Sequence, residues 1–151
     1  LRQALIRARR RGGCVALLLL DLDGFKRIND NHGHEAGDQL LAEVGQRLLG
    51  CVRGSDTVSR IGGDEFVVLL DDPIQPDDAG RIAQKLVAAT SEPFAFGAHV
   101  LRVGASAGVS VAPYDSLDAE VLLRRADEAM YRAKQRGRGA WRHYADGSPA
   151  G

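Results

Sequence analysis

Val15-Ala16-Leu17-Leu18-Leu19-Leu20-Asp21-Leu22-Asp23 is the stretch on which the fold turns. Its apolar run, Val15 to Leu20, is too short to span a bilayer. An unbroken run of this kind suits a central strand covered on both faces. Upstream, residues 2–11 read as the end of a charged helix closed by Gly12-Gly13. Downstream, Gly24 breaks the strand, and Phe25 to Asn31 predicts a short helix interrupted by Gly33. Leu40, Leu41, Val44, Leu48 and Leu49 then share one face of a longer helix, roughly 35–52. Residues 55–61 and 65–70 are short strand candidates around Gly62-Gly63, a tight-turn signal, and Asp71-Asp72-Pro73 ends the second. Ala79, Ile82, Ala83, Leu86, Val87 and Thr90 mark an amphipathic helix. Residues 94–112 predict two strands around Gly97-Ala98, the second alternating through Val103, Ala105, Ala107, Val109 and Val111. A last helix over about 118–136 turns Leu122, Ala126, Ala129, Met130 and Ala133 inward and ends at Gly137 and Gly139. Trp141 to Tyr144 reads as a short edge strand. This order predicts an α/β sandwich, a mixed sheet flanked by helices.

The length of 151 residues fits one domain, here 1–145, with 146–151 as a tail or linker. An apolar content of 44% and a charged content of 26% allow a full core. Lys plus Arg equals Asp plus Glu, 20 against 20, which argues against a dedicated nucleic-acid binder. Cys14 and Cys51 lie in apolar surroundings without metal-ligand spacing and read as small buried hydrophobes in a reducing compartment. With no signal peptide and no spanning segment, a cytoplasmic domain without membrane contact is expected, although its parent protein can be membrane-anchored. The abrupt, Arg-rich start suits a piece of a longer signalling protein with further domains.

The chemistry gathers at two acidic features. Asp21 and Asp23 are i and i+2 on a strand, so their carboxylates share a face. Two adjacent anions repel, and Mg2+, which takes hard oxygen ligands, would relieve them; a solvated strand end is the alternative. Gly62-Gly63-Asp64-Glu65-Phe66 places two flexible residues and two acids at the root of a hydrophobic strand. A hairpin carrying solvated acids is the competing reading of that feature.

Four ordered blocks carry a family resemblance: Asp21 to Asp30, His32 to Asp38, Arg60 to Phe66, and Ala126 to Lys134. Together they resemble the GGDEF family of diguanylate cyclases over about residues 14–139. The resemblance implies the ferredoxin-like fold of the nucleotide-cyclase and polymerase palm. It implies condensation of two GTP into cyclic di-GMP with release of pyrophosphate, by a homodimer using Mg2+ or Mn2+. It assigns Asp21, the Leu22 carbonyl, Asp64 and Glu65 to metal, with Asp64 and Glu65 catalytic. It assigns Asn29 and Asp38 to the guanine edge, His34 nearby, Gly62 and Gly63 to nucleotide approach, and Lys134 and Arg138 to the terminal phosphates. Arg53-Gly54-Ser55-Asp56 resembles the family's product-inhibition motif, with Arg81 as a further contact. The family's usual opening segment before the first strand has no counterpart here. The alternatives are a catalytically silent module that binds GTP or cyclic di-GMP, and a structural interaction domain that uses none of these acids.

Overall fold

The computed structural model describes residues 1–71 and 75–147. Its elements are α1 (Arg2–Arg11), β1 (Val15–Asp23), α2 (Phe25–His32), α3 (His34–Leu49), β2 (Thr57–Gly62), β3 (Glu65–Leu70), α4 (Pro76–Thr90), β4 (Phe94–Phe96), β5 (His99–Leu101), β6 (Gly104–Ala112), α5 (Ala119–Gln135) and β7 (Trp141–His143). A 3-10 turn over Tyr144–Gly147 follows. It takes up the first residues of the expected tail; residues 148–151, like Asp72 and Pro73, lie outside the described residues.

The sheet order is β2-β3-β1-β6-β7. The first four strands are antiparallel neighbours, and β7 runs parallel to β6 at the edge. The apolar run of β1 therefore lies mid-sheet, as its composition requires. Its side chains alternate between two cores. Ala16, Leu18, Leu20 and Leu22 pack with Phe66, Val68 and Leu70 against α3 and α4. Val15, Leu17 and Leu19 pack with α1 and with Leu122, Ala126 and Met130 of α5. Each fully buried leucine of β1 contributes about 1.5–3 kcal/mol.

Two close approaches set the helix positions. Gly108 on β6 lies against the Ala126 carbonyl and the Met130 amide of α5, so the helix backbone rests directly on the strand. Ser110, buried beside it, donates to the Leu122 carbonyl at 2.8 Å and leaves no hydroxyl unpaired. On the other face, the Arg47 guanidinium of α3 donates to the carbonyls of Ala89, Glu92 and Pro93, capping the end of α4.

Three expectations shift. Residues 94–112 form three strands, because the chain leaves the β4-β5 hairpin after Leu101 and joins the central sheet only at Gly104. The tight turn is Gly63-Asp64 rather than Gly62-Gly63: Gly62 still pairs with Glu65 after a bulge at Ile61, and Gly63 takes the left-handed φ of 45°. The helix after Gly33 stops at Leu49, and residues 55 and 56 form a turn before β2.

Candidate active site

The end of β1 and the β2-β3 turn meet at one corner of the sheet. Asp21 stands opposite Glu65 on β3 and Ser106 on β6. The Leu22 amide donates to the Asp64 carbonyl at 3.1 Å and fastens the turn to the strand end. That contact brings the Asp64 carboxyl beside Asp21. Burial raises Asp64 above the usual 3.8, and the neighbouring Asp21 carboxylate adds to the rise. A backbone hydrogen bond and the charge of Lys134 oppose it.

Asp21 is largely enclosed, its side chain 13% exposed. One oxygen, Oδ2, pairs with the Lys134 ammonium reaching down from the last turn of α5. The other, Oδ1, is buried without a hydrogen-bond partner among the described residues. Such an atom ordinarily costs about 1–3 kcal/mol, so it marks a place prepared for a cation or donor. Among the described residues no cluster of three or more His, Cys, Asp or Glu forms a metal site. Asp21 and Asp64 come together, while Glu65 shares their strand end without closing a cage. Hard oxygens from one or two carboxylates still fit Mg2+, which completes its shell with water and phosphate oxygens. The residues present therefore fit a hard divalent cation.

Asp23 departs from the expected pairing with Asp21. Its carboxylate accepts from the Ser106 hydroxyl at 3.0 and 3.1 Å and from the Gly139 amide at 3.0 Å. It also pairs with Arg138 at 3.7 Å. Protein groups thus satisfy it. The helix does not persist to Arg138 as the spacing suggested. It ends at Gln135, and Arg138 takes a left-handed φ of 62° between Gly137 and Gly139. That turn, held by Asp23, returns the guanidinium to the corner that Lys134 reaches from the helix. This anchoring role of Asp23 and Ser106 went unread, although a serine in a largely apolar strand was a usable signal.

The opposite face carries the residues expected at the base. Asn29 lies against α3 so closely that a side chain at Gly37 would collide with its amide. Its Oδ1 is buried without a partner among the described residues. Asp38 is the next residue after Gly37 and is exposed. His34 begins α3 one turn earlier, so it shares the face of Asp38. From Asp38 a cleft of about 470 Å³ runs between α3 and the hairpin, lined by Leu41, Gly45, Val58, Arg60 and Phe66. Arg60 donates to the Gly63 carbonyl at 3.3 Å and ties the cleft wall to the turn. Gly62 and Gly63 are exposed, with nothing within 4 Å of where a Cβ would stand. The cleft and the acidic corner thus flank the hairpin from opposite faces of the sheet. The cleft lining was also unread, because it depends on how α3 crosses β2 and β3.

Arg53 and Asp56 form a closed clasp. Asp56, its side chain fully buried, accepts from the Arg53 amide at 2.9 Å and from the Asp71 amide at 3.0 Å. Arg53 donates to the Asp71 carbonyl at 2.8 Å and stays half exposed. Arg7 of α1 reaches the Asp71 carboxylate at 2.5 Å. Arg81 pairs with Asp78 on its own helix, and no contact found among the described residues joins it to the clasp.

A strand-end acid, a Gly-rich acidic turn and a bordering cleft thus stand at one end of a mixed sheet. The family model described as "Diguanylate cyclase, GGDEF domain" matches residues 1–140. The chain belongs to the GGDEF family. It is 44% identical over 141 residues to the bifunctional diguanylate cyclase/cyclic di-GMP phosphodiesterase MucR of Pseudomonas aeruginosa, covering 93% of this chain and 20% of that protein. It is 39% identical over 142 residues to the diguanylate cyclase DgcS of Shewanella oneidensis, covering 94% of this chain and 46% of that protein. The chain thus spans less than half the length of these curated relatives. The crystal structure of the GGDEF domain of YfiN (TpbB) from Pseudomonas aeruginosa superposes with a TM-score of 0.90 at 39% identity, covering 95% of this chain and 89% of that one. Among the described residues no helix is long and apolar enough to cross a membrane.

Proposed function

We propose that this domain is a diguanylate cyclase that condenses two GTP into cyclic di-GMP with loss of two pyrophosphates. The observation that carries the reading is the Asp21-Asp64 carboxylate pair, with Lys134 and Arg138 converging on the same strand end. Asp38 lines the cleft on the other flank of the hairpin, and Asn29 packs against Gly37 beside it. That division suits a nucleotide laid across the hairpin, its base at the cleft and its phosphates at the acids.

Asp38 accepts from the guanine N1–H and N2–H2, and the Asn29 amide both donates and accepts. Gly62 and Gly63 leave the turn open for the triphosphate to cross. Lys134 and Arg138 neutralise terminal phosphate charge, and Arg138 does so from a turn already held by Asp23. A bound Mg2+ or Mn2+ would screen the α-phosphate and promote ionisation of the attacking 3′-hydroxyl. Asp21, Asp64, Glu65 and the Leu22 carbonyl would hold it. The Asp64 carboxylate, when ionised, would accept that hydroxyl's proton.

Each domain presents one nucleotide, so the second 3′-hydroxyl must come from another copy facing it. A homodimer is therefore the working form, and cyclic di-GMP leaves only after both attacks. Product binding at Arg53, with Asp56 holding the turn, is the proposed inhibitory contact, and Arg81 would join it only on leaving Asp78. Here Asp56 is already committed to backbone amides, so Arg53 supplies the accessible donors.

The test is product analysis with GTP and Mg2+ at high protein concentration, wild type beside Asp64→Ala. Wild type should make cyclic di-GMP, and the variant should bind a GTP analogue yet make none. Absence of product from wild type that demonstrably binds GTP would sink the cyclase reading.

A further inference from the structure

The contact between Lys134 and Asp21 bears on how the site fills. In the reading above, Lys134 serves phosphate and Asp21 serves metal, yet here the two are partners through Oδ2. The Lys134 ammonium therefore occupies the carboxylate oxygen that a metal would use. It comes from the last turn of α5 on a long flexible stem, with a side chain 26% exposed, so it can leave without moving the helix. A divalent cation at the same Oδ2 would stand against that ammonium at contact distance, where like charges repel strongly. Triphosphate oxygens would offer Lys134 a stronger anion. Arg138 pairs with Asp23 instead and leaves Asp21 to Lys134.

We propose that Lys134 is a displaceable counter-ion that closes the acidic corner to a bare divalent cation. Cation binding then requires a triphosphate to draw Lys134 off Asp21. Metal and nucleotide bind with positive coupling, and the coupling is reciprocal. The corner thereby stays neutralised between turnovers without holding a metal ion that has no substrate. The inference rests on the nucleotide and metal reading given above.

The experiment titrates the whole chain with Mn2+, reading free Mn2+ by electron paramagnetic resonance, with and without a non-hydrolysable GTP analogue. Wild type should bind Mn2+ weakly alone and much more tightly with the analogue. Lys134→Gln should tighten binding of Mn2+ alone by about two- to fivefold, the order expected for loss of one competing ion pair. It should also shrink the ratio between the two conditions. Lys134→Arg keeps the counter-charge and should retain weak binding of Mn2+ alone; a gain like that of the glutamine variant would overturn the proposal. Unchanged binding of Mn2+ alone in Lys134→Gln would overturn it too, while leaving the cyclase reading standing. If wild type binds neither analogue nor Mn2+ under any condition, the underlying site reading falls, and this inference with it. A structural role for Lys134 alone would not raise metal affinity.

Discussion

Gly108→Ala tests the packing that delivers Lys134 to Asp21. Gly108 faces α5 from the middle of β6, opposite Leu19. An added Cβ would fall 3.0 Å from the Ala126 carbonyl carbon and closer still to its oxygen and to the Met130 amide nitrogen. All three are backbone atoms, so no rotamer change relieves the clash and the helix must retreat by roughly 1 Å. A gap of about 0.5–1 Å forfeits a quarter to a half of each dispersion well, and a buried leucine makes about 40–60 contacts worth about 0.1–0.2 kcal/mol each. If half of those contacts face the sheet, Leu122 alone loses about 1–2 kcal/mol, and Ala126, Ala129 and Met130 add to it. Removing a strand glycine returns only about 0.5–1 kcal/mol. The net loss should be about 2–4 kcal/mol, within the range for overpacked cores. Urea denaturation at constant slope measures it, and the thermal midpoint should fall roughly 5–15 °C. A variant within about 0.5 kcal/mol of wild type would show that α5 does not rest on the strand as described.

Other outcomes follow from the same contacts. Asp64→Asn should stabilise the ligand-free domain near neutral pH while abolishing synthesis, since the raised carboxyl holds extra protons when folded and stability falls as pH rises through its folded value. The gain should vanish below about pH 3.8, where both states are protonated; thermal melts against pH measure it, and a gain independent of pH would contradict the cause. Gly37→Ala should displace the Asn29 amide, whose Cγ would lie 2.9 Å from the new methyl, and weaken GTP-analogue binding more than stability, as calorimetry beside urea melts would show. His143 is raised above 6.5, chiefly by its hydrogen bond to buried Asp115 at 3.2 Å and also by the charges of Asp115 and Asp146, against burial and Arg132. Its contribution is present below 6.5 and lost as pH rises through the raised value; His143→Gln should flatten that decline in urea midpoints taken over about pH 5.5–8.5. Arg53→Ala should abolish product inhibition in progress curves while sparing synthesis, and should lower stability by about 0.5–1.5 kcal/mol through its lost bond to the Asp71 carbonyl.

Much of this protein was legible in local pattern. The unbroken run of β1, the helical spacing of α3, α4 and α5, and the acid pair at the hairpin all announced themselves, because burial on one face or two imposes a period on a sequence. The family blocks added the expected roles of Asn29, Asp38, Lys134 and Arg138. Turns were read less well. Which two residues close the β2-β3 hairpin depends on a bulge at Ile61, and bulges follow from pairing with a partner strand rather than from composition.

By itself, the sequence determined the layers, the central strand and the set of polar residues available for chemistry, since each is dictated by periodicity or residue type. Tertiary structure alone decided how those residues combine. It separated Asp21 from Asp23, giving the first to Lys134 and Asp64 and the second to Ser106, Gly139 and Arg138. It placed the Asp38 cleft and the acids on opposite flanks of one hairpin. The physical reason is range: periodicity reports the face a residue occupies, whereas an ion pair between Asp21 and Lys134, 113 positions apart, exists only where β1 and α5 have packed.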